Sequence, residues 1–264
     1  MDIPTSYEPV TCILMVASRV AFDVEVEQLA DWLYCLRTPV VQAYAVRQSS
    51  GFVLVDTGVV GYGAAYLEAI AQATDLEPED VRISEILLTH GHDDHTGSAR
   101  ELVRMTGAQV RGPALDADVI EGRARRADPQ LAEWEVPLYE RLGTPAALKA
   151  RGVLPAPPVD LDGQLEAGSR LGWELPTEVI AVPGHTAGSL AVFFPSERVL
   201  IAGDAIASYE GEPILGVFNV DLVEARHSFA RLAELDADLA CYGHGAPIVG
   251  DAQAKLGRVA SAFP

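Results

Sequence analysis

The segment His90-Gly91-His92-Asp93-Asp94-His95 concentrates side chains that bind metals. Its six positions hold three histidines and two aspartates, whose imidazole nitrogens and carboxylate oxygens suit zinc and similar metals. His90 and His92 alternate, so in extended backbone they point the same way, and Asp94 and His95 follow as the chain turns. The alternative, a polar turn with surface histidines, is disfavoured because so many ligand types fall together. The segment therefore predicts a metal site.

The elements around this segment predict where it lies in the fold. The apolar run Ile86-Leu87-Leu88 predicts a buried strand, and Leu102 and Val103 belong to a helical pattern that follows Gly97. The histidines therefore lie on a turn at the carboxyl end of a strand, where open α/β sheets place their sites.

Three other strand ends carry single side chains of the same kinds. They are His185 between two glycines, Asp204 after an apolar strand, and His244 between two glycines. Each alone is a weak signal, because a strand-end Asp or His is commonly a turn residue. Together they are informative, because five of the six histidines in the chain fall in these segments. The sixth, His227, lies on a predicted helix and is not expected to bind metal.

The combined motifs resemble the metallo-β-lactamase-fold hydrolase superfamily. The order and rough spacing match over about residues 40 to 250. The pattern is highly specific for the fold and the metal site, and poorly specific for the substrate. The residues that carry the resemblance are the histidine-rich segment, Gly184-His185-Thr186-Ala187-Gly188-Ser189, Gly203-Asp204, Gly243-His244-Gly245 and the early turn Asp56-Thr57-Gly58.

The resemblance implies a fold and a ligand set. The fold would be an α/β (α+β), four-layer αββα sandwich with the site at one edge between two sheets, in a single domain over residues 1–264. Asp56 would orient a ligand histidine without binding metal itself. Seven nitrogen and oxygen donors without cysteine suit two zinc ions, although iron or manganese could occupy the same set. The implied ligands are His90, His92 and His185 for one metal, Asp94, His95 and His244 for the second, and Asp204 as the bridge.

The implied reaction is hydrolysis of an ester-like bond (lactone, thioester or ester) in a small acyl substrate by a metal-bridged hydroxide. Asp94 could accept the proton of the bridging water. Tyr209 follows Asp204 closely, and in lactonases of this superfamily a tyrosine in that neighbourhood hydrogen-bonds the substrate carbonyl. The alternative for Tyr209 is packing over the rim of the site.

Two other activities stay open at this point. True β-lactamases lack an aspartate at the position of Asp204, so cleavage of β-lactam amides is disfavoured as the main activity. A mononuclear iron oxidoreductase similar to persulfide dioxygenases would use only part of the ligand set. Bound metal separates these alternatives, because the hydrolase would hold two zinc ions and the oxidoreductase one iron.

The net charge of the chain disfavours nucleic acid as a partner, and a small-molecule substrate is the expected partner. With a net charge of −19 over 264 residues, the chain repels polyanions, so nucleic acid is not an expected partner. The basic cluster Arg123, Arg125 and Arg126 is expected to be a solvated helix face. The C-terminal part has no basic cluster suited to glutathione carboxylates, which weakens a glyoxalase II-like interpretation.

Cysteine usage and the apolar runs bear on location and assembly. The three cysteines, Cys12, Cys35 and Cys241, suit a reducing compartment and buried thiols. The N-terminus lacks a basic region, and no apolar stretch is long enough to cross a bilayer, so a cytoplasmic location without membrane association is expected. Apolar positions around Trp32 and Leu33 make a homodimer plausible.

The remaining pattern predicts two β-rich layers with helices outside. Residues 10–20 and 40–47 are among the predicted strands, whereas Leu29 to Leu36 is mixed and unassigned. Residues 113–160 predict a variable helical insertion. Within it, a packed helix face is favoured over a substrate lid for the apolar positions at helical spacing, Leu131, Trp134, Leu138 and Leu142.

Overall fold

The computed structural model describes residues 23–263. The predicted strand over residues 10–20 and Cys12 lie outside the described residues. The strands are β1 (Glu25–Ala30), β2 (Leu33–Arg37), β3 (Gln42–Gln48), β4 (Gly51–Val55), β5 (Ile83–Leu87), β6 (Gln109–Pro113), β7 (Gly163–Leu165), β8 (Glu178–Ala181), β9 (Leu190–Phe194), β10 (Val199–Ile201), β11 (Ile206–Tyr209), β12 (Glu212–Leu215), β13 (Leu239–Cys241) and β14 (Ile248–Val249). The helices are α1 (Gly63–Thr74), α2 (Asp93–Thr96), α3 (Ala99–Thr106), α4 (Ala117–Ile120), α5 (Val136–Leu142), α6 (Pro145–Ala150), α7 (Leu222–Ala233) and α8 (Ala252–Ala260).

Two large sheets form the centre of the fold. The first has the order β1-β2-β3-β4-β5-β6-β7 and the second the order β14-β13-β10-β9-β8, while β11 and β12 pair as a separate hairpin. In the first sheet β4, β5 and β6 are parallel neighbours. In the second, β10 and β13 are parallel neighbours. Parallel neighbours end at the same edge, which determines where polar strand-end residues meet.

Alternate residues of each central strand enter different cores. In β2, Tyr34 and Leu36 pack in a core with α1 and α3, whereas Leu33 and Cys35 pack between the two sheets. A third core joins the second sheet to α7 and α8. This alternation with a period of two residues buries both faces of the sheets. The layers therefore run helix, sheet, sheet, helix, which confirms the predicted αββα sandwich.

The unassigned segment Leu29 to Leu36 turns out to belong to β1, β2 and the turn between them. Leu33 is fully buried, and the ring of Trp32 packs 4.8 Å from that of Phe194, measured between centroids. Leu33 therefore offers no exposed surface and Trp32 is partly buried, and the homodimer stays a prediction. Cys35 and Cys241 are buried free thiols, as predicted.

The helical insertion does not form the predicted packed face. Helix α5 has no buried residue, and Leu131 and Trp134 precede it rather than lying on it. The Trp134 side chain is 53% exposed. The prediction of one packed helix face is wrong because the helical pattern of apolar residues spans a turn and a short helix whose inner side faces a cavity.

Glu135 attaches the insertion to the loop that follows β12. Its buried carboxylate accepts hydrogen bonds from the backbone N–H of Phe218 at 2.9 Å and of Ala132 at 2.8 Å. The ring of Tyr139 packs edge-on against that of Phe218, with 5.1 Å between centroids. The insertion is thus held against the body of the fold by polar and aromatic contacts.

The basic cluster also differs from the prediction. Arg123, Arg125 and Arg126 follow the end of α4 and are not helical. Arg123 pairs with Asp118, and the Arg126 side chain is half-buried. Among residues 23–263, no helix combines the length and the apolar character needed to span a bilayer.

Candidate metal centre

The side chains of the candidate site lie at the ends of strands from both sheets. Asp56 follows β4, and the histidine-rich segment follows β5, its parallel neighbour. Asp204 lies in the 3₁₀ turn Gly203–Ala205 after β10, and His244 follows β13, its parallel neighbour. His185 comes from the loop after β8. The predicted residues therefore converge because neighbouring parallel strands end at one edge of each sheet.

Three imidazoles form the first cluster. Nδ1 of His92 lies 3.1 Å from Nε2 of His90 and 2.9 Å from Nε2 of His185. A tetrahedral zinc ion about 2.0–2.1 Å from each nitrogen holds the nitrogens about 3.3 Å apart. The spacing of this cluster is therefore close to that of a zinc site.

The second cluster is mixed. Nε2 of His244 lies 3.4 Å from Oδ2 of Asp94, and His95 completes a group whose ligand atoms all lie within 4.8 Å. Asp204 stands between the clusters. Its Oδ1 lies 3.3 Å from Nε2 of His95. Its Oδ2 lies 3.3 Å from Nε2 of His244 and 3.5 Å from Nε2 of His185.

Acceptors outside the clusters set the tautomers of the histidines. Nδ1 of His185 donates to Val217 O at 3.1 Å, and Nδ1 of His244 donates to Val40 O at 3.0 Å. A carbonyl oxygen can only accept, so Nδ1 carries the proton, and in the neutral form of each imidazole Nε2 presents its lone pair to the site. Such partners fix the orientation of each ring.

Asp56 fixes the orientation of the His95 ring in the same way. Its Oδ2 accepts from Nδ1 of His95 at 2.8 Å and from the Thr89 hydroxyl at 2.7 Å, and its Oδ1 accepts from Thr89 N at 2.8 Å. Asp56 has a φ of 63°, a left-handed conformation that is uncommon outside glycine. The three hydrogen bonds hold the aspartate in this conformation, with its carboxylate turned toward His95.

The two clusters differ in the protonation of their histidines. Burial, together with neighbouring imidazoles, lowers the pKa of His90 and lowers the pKa of His92 to about 3, so both imidazoles are neutral. Burial alone would also lower the pKa of His95, but Asp204 and Asp56 raise it well above its ordinary value. The same opposition, with Asp204 again the main partner, raises the pKa of His244 to about 10. The carboxylates thus attract positive charge to the second cluster.

Buried atoms without partners show that the residues fit a metal. Within the described residues, Nε2 of His95 and Oδ1 of Asp204 are buried, and although they lie 3.3 Å apart, neither has a partner in hydrogen-bond geometry. Gly243 packs so closely that a Cβ there would collide with Oδ1 of Asp204 and with the His95 ring. Leaving buried polar atoms unpaired is costly unless something else binds them. A cation among these donors would satisfy them.

Asp116 is a residue that the sequence interpretation missed. Its Oδ2 accepts from Gly91 N at 2.9 Å, and its Oδ1 accepts from Gly188 N at 2.9 Å. It thereby joins the histidine-rich segment to the His185 loop. The signal was present, because Asp116 follows β6, the next parallel strand after β5.

The chain is similar to known proteins in both sequence and fold. The family model described as the metallo-beta-lactamase superfamily matches residues 37–244, a range that contains both clusters. The chain belongs to the metallo-β-lactamase superfamily. It is accordingly a metal-dependent hydrolase.

Relatives of this superfamily member include two kinds of hydrolase. The chain is 25% identical to YflN, a probable metallo-hydrolase of Bacillus subtilis, over 246 aligned positions covering 84% of this chain and 87% of that protein. It is 31% identical to a hydroxyacylglutathione hydrolase of Pseudomonas aeruginosa over 173 positions, which cover 62% of this chain and 47% of that enzyme. The chain therefore spans about half the length of this hydroxyacylglutathione hydrolase.

Solved structures of the superfamily agree in fold. TTHA1429 from Thermus thermophilus has a TM-score of 0.61 and 28% identity, covering 89% of this chain and 78% of that one. A di-iron-bound form of TTHA1623 has a TM-score of 0.60 and 27% identity, covering 84% and 96%. BJP-1, a subclass B3 metallo-β-lactamase of Bradyrhizobium japonicum, has a TM-score of 0.63 at 21% identity, covering 90% of each chain, and shows the fold alone.

A cavity of about 330 Å³ opens onto the two clusters of this superfamily member. Tyr209, half-exposed at the end of β11, lies on its wall, whereas His227 lies on the exposed face of α7 and belongs to neither cluster. Residues of the insertion also line this cavity, and they include Arg126, Leu138, Tyr139, Leu142, Leu148 and Arg151.

Proposed function

We propose that this protein is a dinuclear zinc hydrolase that cleaves an ester-like bond, in a lactone, thioester or ester, of a small acyl substrate. The observation that carries the proposal is the position of Asp204. Its Oδ1 lies 3.3 Å from Nε2 of His95, and its Oδ2 lies between the clusters, 3.3 Å from Nε2 of His244 and 3.5 Å from Nε2 of His185. A carboxylate placed in this way is suited to bridging two cations.

The ligand roles follow from the clusters. Seven side chains offer nitrogen or oxygen donors, and cysteine is not among them, which suits zinc while iron or manganese remain compatible. When bound, zinc polarises a carbonyl oxygen and lowers the pKa of a water from about 15.7 toward about 7. The first metal would be held by His90, His92 and His185, and the second by Asp94, His95 and His244, with Asp204 shared.

The chain's own residues complete the chemistry. Burial alone would raise the pKa of Asp94, but hydrogen bonding to His244 lowers it, so its carboxylate is ionised. Asp94 lines the cavity and can accept a proton at a carboxylate oxygen. Tyr209 lines the same cavity and is our candidate for donating a hydrogen bond to the substrate carbonyl. Leu138 and Leu142 contribute apolar surface to the cavity.

Three observations support this class of substrate. The named hydroxyacylglutathione hydrolases are relatives of about 30% identity. The cavity, at about 330 Å³, lies at the small end of ligand sites, which suits a small molecule rather than a polymer. The acidic balance of the chain, −19, also disfavours nucleic acid.

Metal analysis combined with a substrate panel tests the proposal. We expect two zinc ions per chain and hydrolysis within a panel of lactones, thioesters, aryl esters and a chromogenic β-lactam. D204A should lower the metal content and abolish turnover, because both clusters lose a shared ligand. H227A is the matched control, since its imidazole is exposed and outside both clusters, and it should leave metal content intact.

Different results would identify the alternatives. Turnover of the β-lactam alone would make the protein a β-lactamase. One iron per chain with oxygen uptake would make it an oxidoreductase. Full activity of D204A would remove Asp204 from the bridge and contradict the dinuclear proposal.

A further inference from the structure

The cavity beside the metal clusters carries more positive charge at its outer wall than the composition of the chain leads one to expect. Arg126 and Arg151 both line it, in a chain of net charge −19. They come from opposite ends of the insertion, Arg126 after α4 and Arg151 directly after α6. The fold therefore brings two separated cations to one cavity.

These guanidinium groups are not used by the protein itself. Across residues 23–263, neither Arg126 nor Arg151 has an ion pair or a side-chain hydrogen bond. Arg123, three residues before Arg126, is paired with Asp118 and Glu121. Arg126 thus differs from a neighbouring arginine whose charge is neutralised within the protein. Arg126 and Arg151 therefore line the cavity, and within residues 23–263 their side-chain donors have no protein acceptor.

The other residues of the cavity do not neutralise this charge. The acidic residues among those lining it are Asp94 and Asp204, and both face histidines of the metal clusters. The wall between is largely apolar, with Leu138, Leu142 and Phe218. Apolar surroundings exclude water and strengthen a charge interaction.

We propose that Arg126 and Arg151 form a subsite for an oxyanion of the substrate, separate from the candidate metal ligands. The inference rests on the proposed hydrolase function and specifies its substrates as anionic acyl compounds. A guanidinium presents a planar fork of donors that matches a carboxylate or phosphate. The metal clusters act on one end of the molecule, and the arginines hold the anionic end.

Paired substrates test the subsite. Mono-p-nitrophenyl glutarate carries a carboxylate on the acyl chain, and p-nitrophenyl pentanoate is its neutral partner. 4-Butanoyloxybenzoate and its methyl ester form the corresponding pair with the charge on the leaving group. We expect one anionic member to have a kcat/KM at least about tenfold above its neutral partner, which corresponds to about 1.4 kcal/mol. The substrate pair that shows the preference tells which side of the scissile bond faces the arginines. Competitive inhibition by phenyl phosphate tells whether the subsite also accepts a phosphate.

Substitutions assign the effect to the arginines. R126Q and R151Q should each raise KM for the preferred anionic substrate about 10-fold or more and leave the neutral partner within about twofold. R126K should recover part of the loss, because lysine keeps the charge but not the fork. R125Q is the matched control, since Arg125 is adjacent, exposed and absent from the cavity wall.

A binding measurement separates this proposal from the hydrolase proposal. Calorimetry of glutarate with the purified protein should show affinity that falls in R126Q and R151Q but not in R125Q, whether or not any ester is turned over. Hydrolysis with equal preference for neutral and anionic substrates, and glutarate affinity unchanged in R126Q and R151Q, would overturn the subsite and leave the hydrolase in place. Glutarate binding that depends on the arginines without hydrolysis of any probe would keep the subsite and reject the hydrolase.

Discussion

Oδ2 of Asp116 accepts a hydrogen bond from the Thr186 hydroxyl over 2.7 Å, joining parts of the chain 70 residues apart. The same carboxylate holds the backbone of Gly91 and Gly188. One buried aspartate therefore fixes the distance between the loop that carries His90 and the loop that carries His185.

Replacing Asp116 should weaken metal binding without changing any ligand. In D116N, one carboxylate oxygen becomes an amide nitrogen that cannot accept, so at least one loop N–H loses its partner. We expect about 10–100-fold lower metal affinity, the usual effect of losing an outer partner of a metal site. Titration against a competing chelator measures it. D118N is the control, because Asp118 is exposed and pairs with Arg123, and equal affinities in both variants would contradict this role.

Replacing Glu135 should loosen the insertion. The carboxylate accepts from Phe218 N and Ala132 N, and a glutamine can satisfy only one of these donors while its amide N–H₂ opposes the other. We expect E135Q to lower the free energy of unfolding by about 1–3 kcal/mol and to raise KM, because the cavity wall moves. Urea unfolding measures the first and steady-state kinetics the second. E133Q, at an exposed position of the same segment, should change stability by less than about 0.5 kcal/mol.

Replacing Tyr209 tests its proposed contact with the substrate. If the hydroxyl donates to the carbonyl, Y209F should lower kcat/KM about 2–10-fold, the value of one neutral hydrogen bond. The melting temperature of Y209F is measured alongside, as the control for intact folding. Kinetics on an active ester reports the effect. Wild-type rates in Y209F would assign the tyrosine to packing at the rim.

The metal-free protein should lose stability as the pH rises. Burial opposes protonation of His244, but Asp204 and Asp94 outweigh it and raise its pKa to about 10. Because the pKa of His244 is higher in the folded protein than its ordinary value of about 6.5, protonated His244 stabilises the fold. This contribution is complete below about pH 6.5 and is lost as the pH rises toward 10. We expect the melting temperature of metal-stripped protein to fall over this range. The melting temperature of metal-stripped H244Q should fall less steeply with pH. Parallel curves of melting temperature against pH for the two proteins would contradict the assignment to His244.

The sequence predicted the site better than its surroundings. Residues such as His90 and Asp204 follow apolar strands directly, so the local pattern and the rule for strand ends locate them together. Glu135 and Arg126 have no such signal, because their roles depend on contacts with distant segments of the chain. The hairpin of β1 and β2 was missed because β1 is partly exposed and alternates poorly. The insertion was misjudged because helical spacing does not tell whether an apolar face meets protein or an open cavity.

One continuous stretch, residues 126–151, lines a large part of the cavity and supplies none of the candidate ligands. Under the proposed function, this stretch contributes to substrate recognition without contributing to the metal centre. A transplant of the stretch between members of the superfamily is therefore a direct route to new substrate preferences, because the candidate ligands need not be altered.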